Sequence, residues 1–162
     1  MRIAMFSTKK YDRSSFEAVT DPALSFKFLE SRLDEHSAVM AGGHDAVCCF
    51  VNDSLNAPVL QLLAEQGIKL VALRCAGYNN VDLSAAAALG IRVCRVPEYS
   101  PYAVAEHAAA LGMDLKRKIH RAFNPVRENE YSPGGLIGFY MDGKTGGVIG
   151  GGKIGRVFIR IM

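Results

Sequence analysis

The chain has 162 residues, 49% of them apolar and 22% charged, with a formal net charge of +3. This is an ordinary globular composition, and so mild a charge points to no polyanionic partner such as nucleic acid. No apolar run approaches the roughly 20 residues of a membrane span, and the start, MRIAMFSTKK, lacks the apolar core of a signal peptide.

Five apolar, β-rich runs recur along the first hundred residues, at 3–6, 26–29, 46–51, 70–73 and 92–96. Helix-like stretches fall between most of them, at 14–19, 57–66 and 83–89. Gly67 and Gly90 follow two of these stretches, where C-terminal caps belong. Asn56 and Asp82 stand at N-cap positions, and Pro58 suits a first helical turn. Strand alternating with helix predicts a flavodoxin-like parallel sheet covered on both faces. The cysteines Cys48, Cys49, Cys75 and Cys94 have no C-x-x-C spacing. Buried reduced thiols in a cytoplasmic protein are the expectation.

After residue 100 the pattern changes. Residues 102–123 predict one helix of about 22 residues, near 33 Å long, ended by Pro125 and long enough to cross into a second domain. Its basic run, Lys116–Lys118 with His120 and Arg121, alternates with Leu115, Ile119, Ala122 and Phe123 at helical spacing. The charges are thus expected on a solvated or subunit-facing side. Residues 124–143 read as a polar connection, and 144–149 as a strand. That strand runs into Gly150-x-Gly152-x-x-Gly155, the opening of a dinucleotide-binding βαβ unit. One glycine allows the turn, the second a close backbone approach to pyrophosphate, the third the packing of helix on strand. A helix from about Lys153 would aim its unpaired N–H groups at the phosphates, with Lys153 and Ile154 in its first turn. The acidic ribose ligand expected about 20 positions on has no sequence to occupy, so the chain reads as the front part of a larger protein.

Within the first hundred residues, the loop 74–82 follows the fourth strand, and ligand crevices of parallel sheets lie at strand carboxyl ends. The N–H groups of Ala76 and Gly77 could form an anion nest for a carboxylate. The same residues also fit a plain glycine turn capped by Asn79, Asn80 and Asp82. Glu106 and His107 are helix neighbours that do not face each other, and neither has a ligand at i+3 or i+4. His36 and His44 show no ligand spacing either, and no metal is assigned.

Five strings in this order resemble the D-isomer-specific 2-hydroxyacid dehydrogenases: VND (51–53), LRCAGYNNVD (73–82), VPEYSP (96–101), AVAEH (103–107) and GKTGGVIGGGKIG (143–155). Within that family the match is closest to the bacterial NAD-dependent D-lactate dehydrogenases. The resemblance implies a substrate-binding domain over 1–100. Over 101–162 it implies an inter-domain helix and the truncated start of a Rossmann NAD-binding domain. It implies pyruvate and D-lactate as substrates, NAD as cofactor, and a homo-oligomer at full length, with no nucleic-acid or membrane partner. It puts the substrate carboxylate on Ala76 and Gly77 and a substrate contact on Tyr99, whose ring could otherwise pack at the hinge. It puts the pyrophosphate on Gly150, Gly152, Lys153, Ile154 and Gly155. Gly151 stands where relatives often have threonine, and Asp114 where they tend to be uncharged.

The family's catalytic arginine, carboxylate and histidine belong to its second half, so no residue here takes their roles and the chain alone is expected to be inactive. Residues from about 124 onward are expected to be poorly packed. Another D-2-hydroxyacid dehydrogenase and a non-catalytic NAD-sensing protein on the same scaffold are the alternatives. A phospho-receiver is disfavoured because it needs an acidic cluster at the strand ends, where only Asp53 stands.

Overall fold

Five of the apolar runs become strands in a computed structural model that describes residues 1–18 and 21–162. They are β1 (Arg2–Met5), β2 (Ser25–Phe28), β3 (Ala46–Cys49), β4 (Leu70–Leu73) and β5 (Arg92–Arg95). All four pairings are parallel, in the order β2-β1-β3-β4-β5. This is the flavodoxin-like order the sequence predicted. The chain divides into two units, Met1–Tyr99 and Ser100–Met162.

In the first unit three helices follow strands: α1 (Lys10–Glu17), α2 (Ala57–Glu65) and α3 (Leu83–Ala88). Asn56 and Asp82 cap α2 and α3, accepting from the N–H groups of Val59 and Ala85. Gly67 and Gly90 end them in the left-handed region, at φ +84° and +66°. The α1 helix starts four residues before the predicted 14–19, because the Asp12 carboxylate accepts from the Lys9 N–H at 2.8 Å. Val19, the last residue of that prediction, lies outside the described residues. A 3-10 turn at Ala38–Ala41 carried no sequence signal.

One sheet face is covered by α2 and α3 over a continuous core that includes Phe6, Val47, Leu60, Leu63, Val71 and Leu73. The other is smaller. Phe16 of α1 meets Phe26 edge-on at 5.3 Å, above Ile3, Met5, Ala46 and Cys48. That cover does not extend to β5, whose Arg92 and Cys94 on this face are exposed. Two expectations are corrected here: the sheet is covered on both faces only in part, and Cys94 is not a buried thiol. The other three cysteines are buried.

The second unit holds α4 (Pro101–Arg117), α5 (Ile119–Arg127) and α6 (Lys153–Ile161). The single helix predicted over 102–123 is two. Lys118 turns left-handed at φ +55° and separates them. Asp114 explains the break: its carboxylate accepts from the His120 N–H at 2.9 Å and lies 2.7 Å from His120 Nδ1. It thereby satisfies a first-turn donor of α5, which a continuous helix would not need. Pro125 lies inside α5 rather than ending a helix. The break also undoes the predicted apolar stripe, for Leu115, Ile119 and Phe123 are exposed within this unit. No strand forms over 144–149, since no neighbouring strand is present among the described residues to take its backbone groups. The α6 helix nevertheless packs along α4, where Val157, Ala105 and Ala109 are buried.

Candidate functional site

The carboxyl ends of β1, β3 and β4 converge on a network of polar side chains. Asp53, 1% exposed, is its centre. Its Oδ1 accepts from Ser7 Oγ at 2.6 Å and the Leu33 N–H at 2.8 Å, and its Oδ2 from the Phe50 N–H at 2.6 Å. One carboxylate thus joins the loops after β1, β2 and β3, and Ser7 is held at φ +53°. Charged acceptors with several donors make the stronger class of hydrogen bond.

Asn80 adds the fourth loop. Its Nδ2 donates to Phe50 O at 3.1 Å and Asp53 O at 2.9 Å. It is therefore a tie between the loops after β3 and β4, beyond the turn cap its sequence suggested.

Arg74 lies across the same strand ends. Its Nη2 donates to Ser7 O at 2.7 Å, its Nε stands 3.3 Å from Asp12 Oδ1, and its guanidinium covers the Phe50 ring at 5.2 Å. The Nε contact is an ion pair outside hydrogen-bond geometry, and the buried Nη1 has no hydrogen-bond partner among the described residues. With side chains only 10% and 11% exposed, the Arg74–Asp12 pair is taken up inside the fold. Burial pushes the Cys48 thiol up, opposed by the Arg74 charge, and pushes Cys49 up further.

Against this backing lie the residues named from sequence. Ala76 is half-buried and Gly77 exposed. Neither has a positive φ, so the loop is not a nest of the right-then-left-handed kind. A Cβ on Gly77 would meet no atom within 4 Å, so the missing side chain leaves open space at its Cα. Among the described residues no backbone acceptor stands on the N–H of Ala76 or Gly77. Cys75 Sγ lies 3.3 Å from Gly77 O, and burial pushes that thiol up as well. Tyr99, the last residue of the unit, is 70% exposed. Asp82 is held below the usual carboxylate range by the Ser84 hydroxyl and then the Ala85 N–H, as befits a helix cap.

The second unit carries the glycine-rich loop. Gly150 sits at φ +105°, a conformation that favours glycine. A Cβ on Gly155 would collide with the carbonyl oxygen of Gly150, so the third glycine lets the loop lie against α6. The helix starts at Lys153, and its N-cap Gly152 supplies no side-chain cap. Lys153 and Ile154 are thus in its first turn. Arg156 Nε donates to Gly151 O at 3.1 Å, which steadies the turn where glycine replaces threonine. A Cβ on Gly150 or Gly152 would meet no atom within 4 Å, so the loop is open on that side, ahead of the unpaired N–H groups of the helix start. Glu106 and His107 are exposed and adjacent on α4, and His120 is taken up by Asp114.

The family model for the D-isomer specific 2-hydroxyacid dehydrogenase catalytic domain matches residues 3–147. Over its full length the chain is 50% identical to the D-lactate dehydrogenase of Escherichia coli (strain K12), covering 50% of that protein. The apo-structure of D-lactate dehydrogenase from Escherichia coli superposes with a TM-score of 0.90 at 50% identity, over 99% of this chain and 51% of that one. The D-lactate dehydrogenase of Aquifex aeolicus, solved in complex with NAD and lactic acid, gives a TM-score of 0.78 at 25% identity, over 98% and 47%. The chain spans about half the length of these relatives.

Proposed function

The chain belongs to the D-isomer specific 2-hydroxyacid dehydrogenases, and from that premise we propose that it is the leading half of an NAD-dependent enzyme interconverting pyruvate and D-lactate. The first unit would bind the 2-oxoacid and the second would begin the coenzyme domain. The observation that carries this reading is the loop after β4. It sets two N–H groups without backbone acceptors, those of Ala76 and Gly77, beside open space at the carboxyl end of a parallel sheet. A carboxylate is the ligand such a pair of donors suits, with the Tyr99 hydroxyl as a further donor from the segment after β5.

For the cofactor, Gly150, Gly152 and Gly155 would give backbone access to the pyrophosphate, and the first turn of α6, at Lys153 and Ile154, its N–H groups and dipole. The nicotinamide, when bound, supplies the hydride that the reaction exchanges with the keto carbon. This chain's residues bind and orient. In this reading they supply no acid–base centre, since Arg74 is engaged by Asp12 and Ser7, and Glu106 and His107 are exposed neighbours on α4. The unpaired cysteines support a cytoplasmic setting. A homo-oligomer of the complete enzyme is part of the same reading.

NADH oxidation with pyruvate tests it. The complete protein should turn over and release the D isomer, and the 162-residue chain alone should do neither. Failure of the complete protein with every 2-oxoacid offered would sink the dehydrogenase reading.

A further inference from the structure

Arg95 closes β5 at the edge of the sheet, and its guanidinium lies on the loop that follows β4. One nitrogen, Nη1, donates to Ala76 O at 2.9 Å and to Pro97 O at 3.2 Å, with Val96 O at 3.5 Å. The guanidinium carbon stands 5.2 Å from the centre of the Tyr78 ring, a cation–π contact. A single side chain therefore joins the two segments that carry the named substrate residues: the loop with Ala76 and Gly77, and the segment that leads to Tyr99.

The direction of the Ala76–Gly77 peptide follows from this contact. In a trans peptide the carbonyl of one residue and the N–H of the next point opposite ways. With Ala76 O turned to Arg95, the Gly77 N–H is turned away from the cation, and the neighbouring Cα is unobstructed, since a Cβ there would meet nothing within 4 Å. The opposite orientation would present a carbonyl oxygen on the side away from Arg95, where it would repel a carboxylate. A cationic donor on the carbonyl also polarises the peptide and strengthens its N–H as a donor.

We infer that Arg95 is the positioning residue of the carboxylate site: it sets the Ala76–Gly77 peptide with its N–H outward and ties that peptide to the segment bearing Tyr99. The inference rests on the reading of Ala76 and Gly77 given under Proposed function. Arg95 itself does not touch the substrate. Arg74, one strand nearer the middle of the sheet, cannot replace it, because its guanidinium is buried against Phe50 and held by Asp12 and Ser7.

The test compares Arg95→Gln, Arg95→Lys and Gly77→Val in the complete enzyme. Arg95→Gln should raise the KM for pyruvate about tenfold, the effect of one net hydrogen bond, with kcat and the KM for NADH nearly unchanged. Arg95→Lys keeps a cationic donor and should recover most of that loss. Gly77→Val tests the site itself, since a branched side chain would fill the open space. If it leaves pyruvate kinetics unchanged, the carboxylate reading fails. If Gly77→Val raises KM and Arg95→Gln does not, the site stands and the role of Arg95 is overturned. On the 162-residue chain, the Gly77 amide resonance should move in Arg95→Gln while those of β1 and β3 stay. A fixed Gly77 resonance, or loss of the whole unit's dispersion in both arginine variants, would overturn the role too.

Discussion

Each unit carries a glycine-bearing loop after a strand-like segment, and the two loops are held by opposite means. In the first unit the ties are long-range: Arg74 to Ser7 across 67 residues, Asp53 to Ser7 across 46, and Asp53 to Leu33 across 20. In the second the ties are local, with Gly155 lying on Gly150 and Arg156 donating to Gly151 five residues away. A sheet offers several strand ends at once, so one buried carboxylate can serve three loops. A lone βα turn has only its own helix to lean on. The first arrangement makes loop geometry a property of the whole core, and the second makes it a property of a short motif.

The sharpest way to break this contrast is Asp12→Ala. Removing the carboxylate leaves the Arg74 charge buried and unpaired, which costs about 3–5 kcal/mol. Urea unfolding of the first unit should shift by that amount while amide protection in α6 stays as it was. Equal loss in both units would show that their stabilities are coupled.

Next in size is Gly155→Ala. The added methyl must push the Gly150 carbonyl aside, an overpacking cost of roughly 1–3 kcal/mol confined to the second unit. Exchange of the α6 amides should accelerate, and NADH affinity of the complete enzyme should fall. Unchanged α6 protection would mean that the loop does not lean on its helix.

Asp114→Ala removes the acceptor for the first turn of α5 and should cost about 1 kcal/mol of helix stability. The loss should show in faster exchange at His120. If it is absent, the left-handed turn at Lys118 holds without the cap.

The smallest effect concerns acid. Asp82 has a folded pKa below its usual 3.8, so its contribution is present above that value and fades as pH falls through the lower folded value. Asp82→Asn should lower α3 amide protection slightly at neutral pH, where the charged carboxylate contributes, and flatten its acid limb below about pH 4, where the two proteins converge. An unaltered acid limb would remove Asp82 as its source.

The same contrast explains what the sequence could reveal. Local signals read well: the caps at Asn56, Asp82, Gly67 and Gly90, the alternation of strand and helix, and the helix start at Lys153 all depend on neighbours in the chain. The backing of the carboxylate loop did not, because Asp53, Asn80 and Arg95 acquire their partners only when the strands align. From sequence, Asp53 is an isolated acid at a strand end. The break at Lys118 escaped for a related reason, since Asp114 looks misplaced until α5 turns back to meet it. The strand expected at 144–149 failed for want of partners: a strand is a relation between segments.

The placement of Arg92 and Arg95 on β5 has a consequence for how copies of this chain tolerate crowding. An open edge of a sheet invites another strand to add to it, and exposed cations are one means by which proteins discourage that. Two copies aligned along β5 would set the exposed arginines of both on one joined sheet, with Arg92 and Arg95 of each copy on opposite faces, so like charges meet whichever way the copies approach. The side chain that orders the loop therefore also guards the edge against aggregation.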